Sequence, residues 1–265
     1  MVEAYRAAEA GDELGELVRT YRGRTFGQFV VEQNRSLGAM VVLTVPMVAL
    51  TWSDEVYGPI ARVILGVLTA WLLYRLVRWA LRLETIEIRE RGLRRIGRRA
   101  PRTLAFEDVA SLHASFVETR TRAGVDDDSS VTIRPKNGPD LRFDASIGEL
   151  RDLAQDLSRG TLPHIAPRVL AALRAGEQVA FGCVRADARG VGRSAQKIAW
   201  RELRRPEIIR GELVLTGPRD QSDEAPLGAV ANWHVLLWLA AALHDADLAQ
   251  VEPPSHAVLA RAPHR

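Results

Sequence analysis

Cysteine is all but absent: Cys183 is the only one in 265 residues, so no disulfide can form within the chain. It lies in the apolar run QVAFGCV, where a small buried residue is expected rather than a reactive thiol. The six histidines (His113, His164, His234, His244, His256 and His264) show no metal-ligand spacing, so neither a zinc site nor any other cofactor is expected. Lysine is scarce too. Lys136 and Lys197 stand against 34 arginines, a ratio that reads as genome composition bias. The formal charge of +3 does not announce a nucleic-acid binder, and no nucleic-acid partner is expected. With 47% apolar and 26% charged residues the chain is expected to fold, with room for two small domains.

Charge is also missing locally. Ser36 to Ser53, SLGAMVVLTVPMVALTWS, carries none, and Val56 to Tyr74, VYGPIARVILGVLTAWLLY, carries only Arg62. A spanning helix needs about 20 largely apolar residues, with about 17 the lower limit. The expectation is a two-helix transmembrane hairpin over 36–81, following a mixed segment 1–35 with a short helix near Asp12 to Arg19. Arg19, Arg22, Arg24 and Arg35 precede the first apolar run and Arg75, Arg78, Arg82, Arg89 and Arg91 follow the second, which by the positive-inside rule places both termini in the cytoplasm. The expected location is therefore the inner, cytoplasmic membrane, crossed twice by the chain. The competing reading, a buried hairpin in a core, suffers because both segments are apolar on every face.

Beyond residue 82 the texture changes to short alternating segments. TIEIRERGLRRI (85–96) turns at Arg91-Gly92, and SSVTIRPKNGPDLRFDAS (129–146) turns at Lys136–Pro139. Two helices are expected next, the first with Leu150, Leu153 and Leu157, the second with Val169, Leu170 and Leu173 before a capping Gly176. The texture then repeats. TLAFEDV (103–109) returns as KIAWREL (197–203), and NWHVLLWLAAALHD (232–245) closes the second copy as an apolar helix with Asn232 at its N-cap. Phe106 and Trp200 are expected to face the core, with Asp108 and Glu202 at the strand ends. The expected units are 82–176, 177–245 and a disordered tail 246–265.

The Gly turns RERGL and DARGV, the strand Trp200–Leu203, the joining ALRAGEQVAFG and the closing ANWHVLLWLAAAL carry a resemblance. Over roughly residues 12–245 the chain resembles a family of bacterial membrane proteins of unknown function with tandem PH-like domains. The resemblance implies an α+β architecture: the hairpin, then two PH-like β-barrel or sandwich domains, each ending in a helix. It implies no catalytic or ligand residues.

Chemical motifs are few. GVGRSA (190–195) fits a dinucleotide fingerprint, yet it runs into the strand KIAW instead of opening a helix, so a hairpin turn is expected. SAQK (194–197) has no Ser-Asp-Asn or Lys-Thr-Gly partner, and Asp126–Asp128 reads as a solvated turn rather than a cation site. One stretch remains: RERGLRRIGRRAPR (89–102), with Arg89, Arg91, Arg94, Arg95, Arg98, Arg99 and Arg102. It is set either to meet anionic lipid headgroups or simply to enforce topology.

The expectation is a non-enzymatic, membrane-anchored binding or scaffold protein whose PH-like domains recognise anionic headgroups or a protein partner. The alternative is an auxiliary subunit of a membrane complex, assembled through the hairpin at Gly66 and Ala70. An enzyme would need a pocket between the copies lined by titratable groups.

Overall fold

The computed structural model describes residues 13–23, 63–64, 66–67, 69–71, 74, 84–97, 101–121, 124–193, 197–218 and 221–255. Alternation sets the strands. In β2 (Thr85–Arg89) Ile86 and Ile88 are buried while Thr85, Glu87 and Arg89 are half-buried, which is period two with one core face. β1 (Leu17–Arg22), β2, β3 (Gly92–Ile96) and β4 (Arg102–Ala105) form one antiparallel sheet in that order. After a 3₁₀ turn at Phe106–Asp108 come β5 (Val109–Ser115), the hairpin β6 (Glu118–Thr121) and β7 (Gly124–Asp127), then β8 (Ser130–Pro135) and β9 (Leu141–Asp144). β5, β8 and β9 make a second, three-stranded sheet, and the helix α1 (Leu150–Arg174) follows.

The second copy repeats this plan. β10 (Val179–Phe181), β11 (Val184–Ala186), β12 (Gly190–Gly192) and β13 (Ile198–Ala199) make a four-stranded sheet. β14 (Glu207–Ile209), β15 (Glu212–Thr216) and β16 (Ser222–Pro226) make a three-stranded one, and α2 (Trp233–Asp245) closes the unit. The copies are fused rather than strung together, because one contiguous hydrophobic core runs from Tyr21 and Phe106 through Leu157 and Leu173 to Trp200 and Leu243.

The two helices expected over 147–173 are one. Pro163 and Pro167 lie inside α1, and each removes a main-chain donor. Burial of Leu153, Leu157, Ile165, Leu170 and Leu173, spread around the helix on both sides of the prolines, holds it through them. Gly160, a natural place to end a helix in the sequence, instead makes room: a Cβ there would strike the Phe106 ring. Gly176 is the cap expected, at φ 79° with its N–H donating to the Leu173 carbonyl at 3.0 Å.

The first sheet starts earlier than the alternation suggests. β1 lies in the mixed N-terminal segment, where a helix was expected, and Arg22 pairs with Thr85 across everything between them. Gly23 then donates its N–H to the Glu84 carbonyl at 3.0 Å. Residues 24–83 thus connect two neighbouring strands, and the residues that flank them, Gly23 and Glu84, lie side by side. In the second copy the same connection, β10 to β11, is only Gly182-Cys183.

The transmembrane hairpin is corrected. Among the described residues no helix is long and apolar enough to cross a membrane. α1 has the length but carries charges such as Arg151, Asp152, Asp156 and Arg159, and α2 is apolar but has only 13 residues. Much of 36–81 lies outside the described residues; those described between 63 and 74 are helical and exposed. The integral two-span partnership and the inner-membrane location with cytoplasmic termini rested on that hairpin and are corrected with it. The end of the chain is not loose throughout: Arg174 donates to the carbonyls of Leu248, Ala249 and Val251, and Val251 is buried. Residues 256–265 of the expected tail lie outside the described residues.

Candidate functional site

The arginine stretch does not form one surface. In β3, alternate side chains face opposite ways, so Arg94 and Arg95 diverge. Arg95 sits across from the buried Ile86, stacks over the Phe143 ring at 5.8 Å and donates to both oxygens of Glu84, at 2.5 and 2.8 Å. Arg94 lies on the other face, directly across from Glu87, and Glu87 also pairs with Arg89 at 3.3 Å. Arg89 donates in addition to the Gly15 carbonyl at 3.2 Å. Arg91, at the β2–β3 turn, and Arg102, on β4, are exposed, while Arg98 and Arg99 lie outside the described residues. Of the five described, Arg89 and Arg95 are therefore engaged by acids within the fold. Removing the half-buried, doubly bonded Arg95 as Arg95→Ala is expected to cost about 1 kcal/mol in denaturant unfolding, whereas Arg91→Ala should stay within about 0.5 kcal/mol.

The repeated signature is a structural joint. Gly92 pairs with Ala105 and Gly190 with Ala199, and the aromatic that follows donates its N–H back across the turn, Phe106 to Arg91 at 2.8 Å and Trp200 to Arg189 at 3.4 Å. Both aromatics are buried, whereas Asp108 and Glu202 are exposed. In the second copy the Trp200 Nε1 donates to the Asp187 carbonyl at 2.8 Å. Burial pushes the Asp187 carboxyl up, but Lys197 at 2.6 Å and the backbone N–H groups of Arg189 and Gly190 outweigh this and hold it below the usual carboxylate range. GVGRSA accordingly begins in an antiparallel strand, not at a helix start.

Two polar clusters escaped the sequence reading. Tyr21 on β1 donates to Asp156 of α1 at 2.6 Å, under Arg19, which also bonds Glu149 and Asp152. Burial, then the bond to Asp156, pushes the Tyr21 hydroxyl's pKa up. The second joins the copies. His234 of α2 is buried with its Nε2 3.1 Å from the Thr161 Oγ1 of α1, and burial lowers its pKa to about 3. Thr161 spends its single O–H on the Leu157 carbonyl at 2.8 Å, so Nε2 carries the ring proton and donates. Nδ1 is then a bare acceptor, buried without a hydrogen-bond partner. Asn232 stands at the N-cap of α2 as expected, at φ 52°, but its side chain does not cap. It reaches the first copy: its Oδ1 accepts from the Leu112 N–H at 2.9 Å, and its own N–H donates to the Leu112 carbonyl at 2.8 Å.

Among the described residues no group of three or more His, Cys, Asp or Glu is placed to hold a metal ion. The class defined by these features is a two-copy β protein, each copy a four-stranded and a three-stranded antiparallel sheet closed by a helix, fused through a common core. More particularly, the chain belongs to a family of unknown function (DUF6585), whose model matches residues 1–246. No curated protein and no solved structure matches it.

Proposed function

We propose that this chain is a non-enzymatic protein-binding scaffold built from two PH-like units. The observation that carries the reading is the apolar surface left outside the core at strand edges: Leu17 and Val18 on β1, and Ile208 and Ile209 on β14. Exposed strand edges with large apolar side chains invite pairing with another chain unless they have a partner. Of the two ligands expected from the sequence, a protein is favoured over anionic headgroups, because Arg89 and Arg95 are engaged by acids and Arg94 and Arg95 point apart. The sheet plan of four strands, three strands and a closing helix, twice over, supports the PH-like assignment.

The test is mass photometry of the full-length chain isolated under gentle conditions from the cells that make it. A stoichiometric complex with a second protein is expected. Recovery of only the 29.3 kDa chain, or of multiples of it, would overturn the reading.

A further inference from the structure

β14 is the outer strand of its sheet, and all three of its residues are exposed. It joins β15 through a two-residue turn, Arg210-Gly211, at φ 50° and 83°. In such a hairpin the pair that closes the turn, Ile209 with Glu212, exchanges its main-chain bonds, and so does the pair two residues back, Glu207 with Val214. The N–H and C=O of Ile208 therefore point away from β15. Ile208 lies 39% exposed and Ile209 46% exposed, one on each face of the strand. Exposed arginines stand at both ends, Arg204 and Arg205 before the strand and Arg210 after it. Glu207 is the single acid between them.

The corresponding strand of the first copy shows how this chain treats the same edge. β5 also ends its sheet, but its outward-facing Leu112 has both main-chain groups taken by Asn232 from the second copy. Gly228, in the 3₁₀ turn Leu227–Ala229 that leads to Asn232, lies against Ser115 of the same strand. Ala114 and Ile208 are 94 positions apart, the spacing of the repeat, so Ile208 inherits the outward-facing parity of Leu112. One edge is filled from within the chain; among the described residues its repeat has no such partner and lies exposed.

From this juxtaposition we infer that β14 is a docking edge for an extended segment of a partner protein, apolar at its centre and acidic at both ends, which adds as a further strand. Main-chain bonds to Ile208 supply register, Ile208 and Ile209 supply apolar contact, and the flanking arginines select carboxylates. The inference rests on the scaffold reading above and deepens it by naming an edge and the chemistry of its occupant.

The probe is the labelled peptide Glu-Asp-Val-Thr-Ile-Thr-Val-Asp-Glu, which reads alike in both directions and so fits a parallel or an antiparallel addition. Its control carries Lys in place of each acid. Titrated into the full chain and followed by fluorescence anisotropy, the acidic peptide is expected to bind at least tenfold more tightly than the control. Arg204→Glu combined with Arg205→Glu should abolish that preference. Hydrogen exchange of the wild-type chain adds a readout independent of any variant: the Ile208 amide should slow when the acidic peptide is present. Equal binding of the two peptides, binding of neither at millimolar concentration, or binding that leaves the Ile208 amide unchanged would overturn the docking edge. Any of these would leave the scaffold reading standing, since that one falls only if no stoichiometric partner is recovered.

Discussion

Gly190→Ala and Gly92→Ala are expected each to destabilise the protein by about 3 kcal/mol, while Gly97→Ala, at the end of the strand that Gly92 begins, changes stability by less than about 0.5 kcal/mol. The reason is space, not backbone freedom, since neither Gly92 nor Gly190 has a positive φ. A Cβ on Gly190 would run into the Ile198 carbonyl oxygen, with the Ile198 carbonyl carbon at 2.8 Å and the Ala199 Cα at 3.0 Å. One on Gly92 would meet the Leu104 carbonyl oxygen, with the Ala105 Cα at 3.0 Å. These obstacles are main chain, so no side-chain rotation relieves them, and the sheet itself must open. At Gly97 the nearest atom would be the Glu84 Cγ at 3.5 Å, an ordinary contact. For a chain of this size a loss of about 3 kcal/mol lowers Tm by roughly 10 °C. Thermal unfolding of the three variants checks this, and a Gly190→Ala protein melting within about 2 °C of wild type would refute the close approach.

His234 should make the protein acid-sensitive. Its folded pKa of about 3 lies below the ordinary 6.5, so the unfolded chain takes up the proton first as pH falls. The stability tied to the neutral ring is fully present above pH 6.5 and is lost progressively as pH drops from 6.5 toward 3. Within that window the loss approaches about 1.4 kcal/mol per pH unit. Protonation would place a second N–H, at Nδ1, in a buried site with no acceptor, between the helices that close the two copies. Denaturant unfolding at pH 7 and pH 4.5 is expected to show a drop about 2.5 kcal/mol larger for wild type than for His234→Leu, which cannot titrate. The comparison removes the carboxylates common to both proteins. Parallel pH profiles for the two would mean that water or a rearranged neighbour meets the imidazolium.

What could be read locally was read. The turns at Arg91-Gly92 and Lys136–Pro139 and the helix cap at Gly176 depend on neighbours one to four residues away, and their patterns survive in the chain. The misreadings came where a local sign had a distant cause. The stretch 147–173 reads as two helices, yet α1 runs through Gly160, a poor helix former that admits the ring of Phe106, some fifty positions earlier. The apolar run after Ser36 has the composition of a spanning pair, but composition says neither how long a helix is nor which residues face one another. Asn232 has the residue type and place of an N-cap, and its side chain is instead taken by Leu112.

By itself, then, the sequence determined that the chain folds as a β-rich repeat, where its strands turn, and which aromatics enter the core. Those outcomes follow from alternation and from turn chemistry, both of which act over a few residues. Only the tertiary structure decided that β1 joins β2 across residues 24–83, that two expected helices are one, and that the copies share a core. It also decided which arginines are spent on acids, and it left β14 exposed among the described residues, the counterpart of an edge the chain fills for itself. Pairings between residues far apart in the chain leave no periodic trace, because a strand is written the same way whichever strand lies beside it.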